Sequence, residues 1–262
     1  MAQLDKQKSI FERYPHLVTL RGLAPDDIIE QEIGSRADEF EKDIERARKT
    51  IPSGNLNKIF PTELELQSIK LENFLGHWGN VSIEELCKIC LIVKFIQPKK
   101  ILEIGTYNGM TTLQMALNAP SDCITYTLDL PEEISASLQL SQLDTYVSKH
   151  FKDKFGTSTG SYFKNRNDIK IIQKLGDSAT FDYSEIGNDP IDIIFIDAAH
   201  DYKNKEIDSE QAFKLLSKKG VILWHNYNDV TCPDVTKYLA DISEKRKLFH
   251  LRNTMLAIYY NG

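Results

Sequence analysis

Between Ile33 and Ile51 the apolar residues Ile33, Ala37, Phe40, Ile44, Ala47 and Ile51 recur at alternating steps of four and three, the spacing of one helix face. Pro25 precedes this amphipathic segment and Pro52 stops it. Its stripe suits a helix packed on its own domain; the competing use is a contact with a second copy, giving a homodimer. After the loop SGNLNKIFP, Thr62 with Glu65 and Ser82 with Glu85 show the capping-box spacing, which announces two further helices. The second of these runs to Gln97 and ends at Pro98.

From Lys100 the pattern changes to short apolar runs alternating with helical segments. Strands are expected at 100–105, 124–130, 169–177, 191–197 and 220–226, with helices near 111–118, 132–150, 204–218 and 232–246. Strands apolar on both faces and separated by helices belong to a parallel sheet covered on both sides. The runs KLFHLR and MLAIYYNG break the alternation, because a link of only Asn253 and Thr254 permits a hairpin and not a crossover. The expected fold is therefore α/β: a doubly wound, mostly parallel seven-stranded sheet with a C-terminal antiparallel hairpin strand. Residues 1–80 read as an N-terminal helical extension and 81–262 as the sheet domain. The Gly-, Ser-, Thr- and Lys-rich stretch 151–168 is a long loop, either an active-site lid or a surface excursion.

Composition narrows the partners. The 262 residues carry a net charge of −6 with no cluster of Lys and Arg, which disfavours nucleic acid. No run of eighteen apolar residues exists, and the first residues lack the apolar core of a secretion signal, so a cytoplasmic protein without membrane association is expected. Cys87 and Cys90 form a C-x-x-C spacing inside a helical apolar run with no second pair, which suits a helix core better than a metal or redox centre.

In a doubly wound sheet ligands bind outside the carboxyl ends of the strands. Those ends carry Glu103-Ile104-Gly105, turning through Tyr107 to Gly109, then Asp129, then Gly176-Asp177-Ser178, then Asp197. Asp129, 24 residues after Gly105, is placed to accept both hydroxyls of a ribose. Dinucleotides and S-adenosylmethionine both contain that ribose. The turn is G-x-x-x-G and not G-x-G-x-x-G, Glu103 would oppose a pyrophosphate but suit a cation, and the terminal hairpin is a third distinguishing mark.

With LEIGTYNG, TLDL, LGDS and IDIIFIDAAHDY in this order, residues 80 to 262 resemble the class I S-adenosylmethionine-dependent methyltransferases. The resemblance implies that Glu103, Gly105 and Tyr107 line the methionine portion with Gly109 closing the turn, that Asp129 holds the ribose, and that Asp177 and Ser178 contact adenine. IFIDAAHDY followed by GVILWHNY is further similar to small-molecule O-methyltransferases of the catechol and sugar-modifying types. That likeness implies a divalent cation such as Mg²⁺ held by Asp197, His225 and Asn226, and His200 as the base. A neutral imidazole, with pKa near ~6.5, can take a hydroxyl proton at physiological pH. His225-Asn226 departs from the carboxylate-containing pair of those families; magnesium prefers oxygen, so His225 is alternatively a second acid/base group and the metal softer or absent. His77 and Trp78 are candidates to cap the cofactor or the acceptor.

The function expected is methyl transfer to a hydroxyl of a small-molecule acceptor, a sugar or a phenol. The alternatives are an NAD-dependent Rossmann oxidoreductase and a non-catalytic cofactor-binding protein of the same fold.

Overall fold

A computed structural model describes residues 8–15, 17, 24–74, 79–131 and 158–262. Among these residues the strands are β1 (Ser53–Gly54), β2 (Lys100–Ile104), β3 (Ile124–Asp129), β4 (Ile171–Leu175), β5 (Ile191–Ile196), β6 (Leu216–Trp224), β7 (Leu248–Leu251) and β8 (Ala257–Tyr260). They form one sheet in the order β1-β7-β8-β6-β5-β2-β3-β4. Only β8 runs against its neighbours β6 and β7; the other pairings are parallel. The expected mostly parallel sheet with a reversed strand from the C-terminal hairpin is thus present, and the two-residue β1 adds an eighth, edge position.

The helices that frame the site are α1 (Ala37–Thr50), α2 (Ile83–Ile96), α3 (Met110–Asn118), α4 (Tyr202–Leu215) and α5 (Pro233–Ser243). Every residue of β2 is buried, and β5 is buried except for half-buried Asp192, because an apolar cluster lies on each face of the sheet. One cluster includes Ile104, Ile194, Trp224 and the stripe Ala37, Phe40, Ile44 and Ala47; the other includes Leu86, Ile89, Phe195 and Ile258.

The stripe of α1 therefore packs on its own chain, against α5. Polar contacts fix the register: Arg46 pairs with Asp241, Arg36 with Asp234, and Thr50 Oγ1 lies 2.6 Å from Ser243 Oγ. The helical pattern begins earlier than α1, since Glu30–Gly34 form a π-helical turn ahead of it. Ser82 and Glu85 form the expected capping box of α2. Thr62–Leu66 is a 3₁₀ turn and not an α-helix, and the side chains of Thr62 and Glu65 lie outside the described set.

Several boundaries differ from the sequence expectation by a few residues, and two of them have a visible cause. Helix α4 stops at Leu215, three residues short, because the ladder captures Leu216 opposite Ile191 across a register shift. The link between β7 and β8 is Arg252–Leu256, with Asn253 in the left-handed region at φ +60°. The expected helix 132–150, His77 and Trp78, and residues 151–157 lie outside the described residues. All four cysteines are free; Cys90 is fully buried, and burial pushes its thiol up to about 12, as befits a core residue. Among the described residues no helix is long and apolar enough to cross a membrane.

Candidate active site

The glycine turn connects β2 to α3. Gly105 sits at φ +99°, and its N–H donates to Leu128 O at 2.9 Å while Asp197 N–H donates to Ile104 O at 2.8 Å. A Cβ on Gly105 would stand 2.2 Å from the carbonyl oxygen of Asp197. The glycine is needed because the ends of β2 and β5 close on each other there. Gly109, at φ +82°, caps α3.

Asp129 ends β3 and stitches this turn. Its Oδ2 accepts the N–H groups of Thr106 and Tyr107 at 3.0 and 2.8 Å, and its Oδ1 accepts that of Leu130 at 2.8 Å. A carboxylate offers about four lone-pair sites. Three being used, Asp129 keeps room for one hydroxyl at Oδ1, not for the two expected. Burial raises its pKa against the three N–H donors that lower it.

Glu103 is 1% exposed and faces inward under the turn. Its Oε2 accepts from Thr127 Oγ1 at 2.8 Å and from Thr112 Oγ1. Burial pushes its pKa up to about 8 despite those hydroxyls, well above the ordinary carboxylate range, which favours the neutral acid. The charge that was expected to favour a sulfonium over a pyrophosphate is therefore not supplied by Glu103 in this state.

The described end of the 151–168 loop lies on the glycine turn. Gly160 N–H donates to Tyr107 O at 2.9 Å and Tyr162 N–H to Asn108 O at 3.0 Å. The Phe163 ring covers Gly109, where a Cβ would fall 2.3 Å from Phe163 Cε1. Arg166 anchors the strap with two bonds to Asp168, at 2.7 and 2.6 Å, and one to Glu72 at 2.7 Å.

Asp177 and Ser178, half-buried after β4, form a turn of their own: Asp177 Oδ1 accepts Ala179 N–H at 2.9 Å, and Ser178 O accepts from Tyr183 Oη at 3.3 Å. They are tied to the rest through the adjacent Gly176, whose N–H donates to Asp129 O at 2.9 Å.

The ends of β5 and β6 bring Asp197, His200, His225 and Asn226 together. His200 is the accessible histidine, its side chain 32% exposed and its Nε2 3.9 Å from Asp197 Oδ1. His225 is only 8% exposed and lies between two acids, with Nδ1 3.2 Å from Asp197 Oδ1 and Nε2 3.5 Å from Glu85 Oε2. Burial alone would lower the His225 pKa, but the two carboxylates outweigh it and push it up to about 10. Correspondingly, Glu85 is held down at about 2 against its burial, and Asp197 lies well below the usual carboxylate range. The enclosed ring is held between the two carboxylates, and neither His225 Nε2 nor Asn226 Oδ1 has a hydrogen-bond partner among the described residues.

Asn226, at φ +62°, donates from Nδ2 to Asp229 Oδ2 at 3.1 Å. Asp229 also accepts the N–H and the hydroxyl of Thr231 at Oδ1. Among the described residues no group of three or more His, Cys, Asp or Glu side chains is arranged to hold a metal ion. The donor set does not fit Mg²⁺.

The residue that sequence reading missed is Glu85. Besides capping α2 by accepting Ser82 N–H at 2.8 Å, it accepts Met255 N–H at 2.6 Å and faces His225. Its only local signal was the capping box; its contacts across 140 and 170 residues had none.

Comparison with known proteins finds methyltransferases. Residues 102–227 match a family model described as a methyltransferase domain. A probable caffeoyl-CoA O-methyltransferase 3 from Dictyostelium discoideum is 25% identical over 136 residues, 52% of this chain and 47% of that protein. Catechol O-methyltransferase B from Danio rerio is 24% identical over 180 residues, 67% of this chain and 60% of that protein. The chain thus spans about half to three fifths of the length of these curated relatives. A putative caffeoyl-CoA O-methyltransferase structure from Staphylococcus aureus aligns at TM-score 0.49 and 18% identity, covering 86% of this chain and 99% of that one. With the glycine turn, the acid that ends β3 and a reversed strand among the described residues, the chain is similar over residues 102–227 to a methyltransferase domain.

Proposed function

We propose that this protein transfers a methyl group from S-adenosylmethionine to a hydroxyl of a small molecule, with His200 as the general base. One observation carries the reading. The contact of Gly105 with the Asp197 backbone joins a nucleoside-type cradle, Asp129 with the glycine turn, to an accessible histidine beside a half-buried carboxylate. The match of residues 102–227 to a methyltransferase domain supports this reading.

The sulfonium of the cofactor supplies the methyl electrophile. The chain's own task is to hold the acceptor oxygen in line and to receive its proton, and alignment of this kind can lower a barrier by roughly 7–11 kcal/mol. His200 Nε2 receives the proton, and Asp197, 3.9 Å away, balances the charge that develops on the ring. No step passes through a metal ion. In this reading Asp177 and Ser178 meet the adenine side, and Tyr107, Gly109 and Glu103 shape the turn around the methionine side.

An oxidoreductase finds no support in the relatives, and the nicotinamide alternative is dropped. Isothermal titration with S-adenosylhomocysteine tests the cofactor; binding that Asp129→Ala weakens at least tenfold is expected, and no binding would overturn the proposal. Turnover is then read on a panel of sugars and phenols. Cofactor binding without methylation of any of them would favour the non-catalytic alternative.

A further inference from the structure

We propose that Arg46 and Asp241 are positioning residues for His200: through the Tyr202 hydroxyl they fix the start of α4, and with it the short link that carries the base. For the role of His200 this rests on the methyl-transfer reading; the geometry stands without it.

His200 does not hold itself in place. Its Nε2 is 3.9 Å from Asp197 Oδ1, beyond hydrogen-bond distance, and its side chain is 32% exposed. Its position therefore depends on the link from the end of β5 to the start of α4. At the β5 end, the Asp197 N–H bond to Ile104 O ties that link to β2. At the α4 end, Asp201 caps the helix, its Oδ1 accepting Asn204 N–H at 3.0 Å. A cap is local and cannot orient the helix start against the rest of the fold. Tyr202, the first residue of α4, does so. Its ring meets Tyr238 edge-on with centroids 5.6 Å apart, and its Oη donates to Asp241 Oδ2 at 2.9 Å. Tyr238 and Asp241 stand three residues apart on α5, so one face of that helix grips both the ring and the hydroxyl. Burial and the Asp241 carboxylate push the Tyr202 hydroxyl up to about 12, which keeps it a donor throughout the physiological range. Arg46 of α1 fixes Asp241 in turn by donating to its Oδ1, while Asp43 Oδ1 accepts from Arg46 Nη2 at 3.0 Å and steadies the guanidinium. A continuous path thus runs from the N-terminal extension to the residue two places after the base. Misplacing a reacting group by about 1 Å can cost about 10²-fold in rate, which gives such a path its use. Arg46 and Asp241 are 38% and 36% exposed, so their pair adds little to global stability and variants should stay folded.

Nitrogen relaxation on the intact protein decides this without cofactor or acceptor. The order parameter of the His200 amide should be about 0.85 in the wild type and fall below about 0.6 in Tyr202→Phe, which keeps the ring and loses only the hydroxyl. Arg46→Met should lower it in the same sense, and Arg46→Lys should restore it. Arg36→Met, which breaks the other α1–α5 ion pair, to Asp234, without touching Tyr202, should leave it unchanged. An unaltered value in Tyr202→Phe would overturn the proposal, and so would an equal fall in Arg36→Met and Arg46→Met, which would mean a general loosening of α1. On any sugar or phenol that the wild type methylates, Tyr202→Phe should lower kcat at least tenfold with S-adenosylhomocysteine affinity unchanged. Lost order at His200 with kcat unchanged would support the positioning path and remove His200 from the base role, so the two failures are separable.

Discussion

Replacing Gly105 by alanine separates two explanations of the glycine turn. If the glycine exists to admit a ligand, alanine should spoil cofactor binding and leave the fold intact. The geometry says otherwise. Gly105 has φ +99°, and an added Cβ meets the Asp197 carbonyl oxygen at 2.2 Å, its carbon at 2.5 Å and the Ala198 nitrogen at 2.8 Å. All three are backbone atoms at the junction of β2 and β5, held by the Asp197 N–H bond to Ile104 O. None can swing aside as a side-chain tip would. Holding a residue other than glycine in that backbone region costs about 1–3 kcal/mol. Overpacking against a fixed neighbour adds typically about 1–3 kcal/mol. Together these give about 2–6 kcal/mol, a large share of a total stability of about 5–15 kcal/mol. With a slope of about 2–3 kcal/mol/M, urea unfolding should show a midpoint lowered by about 0.7–3 M. Gly34→Ala is the control: its nearest neighbour, Glu30 Oε2, would lie 3.6 Å from the new Cβ and the position is helical. That variant should be unchanged or more stable by about 0.5–1 kcal/mol. Should Gly105→Ala unfold within experimental error of the wild type while losing S-adenosylhomocysteine affinity, the packing explanation is refuted.

Three other variants test the remaining features. Glu103 has a folded pKa of about 8 against an ordinary 4.5, so the folded chain holds an extra proton between those values and loses stability as pH rises through that window. Glu103→Gln, which does not titrate, should match the wild type near pH 5 and exceed it at pH 9 by a few kcal/mol, at about 1.4 kcal/mol per unit; equal urea midpoints at pH 9 would contradict the neutral acid. His200→Ala should lower turnover by about 10²–10⁴-fold with S-adenosylhomocysteine affinity retained, and a fully active variant would remove His200 from the base role. Arg166→Ala cuts the partly exposed anchors to Asp168 and Glu72, so global stability should fall by no more than about 1 kcal/mol. Hydrogen exchange at the Gly160 and Tyr162 amides should nonetheless quicken, because their bonds to the glycine turn depend on that strap; unchanged exchange would show that the strap needs no clamp.

The amino-acid sequence determined by itself what depends on local pattern. The four-three stripe of α1, the buried strands β2, β5 and β6, the capping box of Ser82 and Glu85 and the terminal hairpin were all legible, because periodicity records which face is buried. Candidate residues at the strand ends were legible too, since strand ends share one edge of a parallel sheet. Their states were not. Whether Glu103 is charged, how many lone pairs Asp129 retains, and whether His225 is base, ligand or cation depend on what surrounds each group, and those neighbours come from distant parts of the chain. Gly105 is explained by Asp197, 92 residues onward, and His225 by Glu85, 140 residues before it. Burial and juxtaposition fix protonation, and both arise only when the sheet brings separate strand ends and α2 to one place.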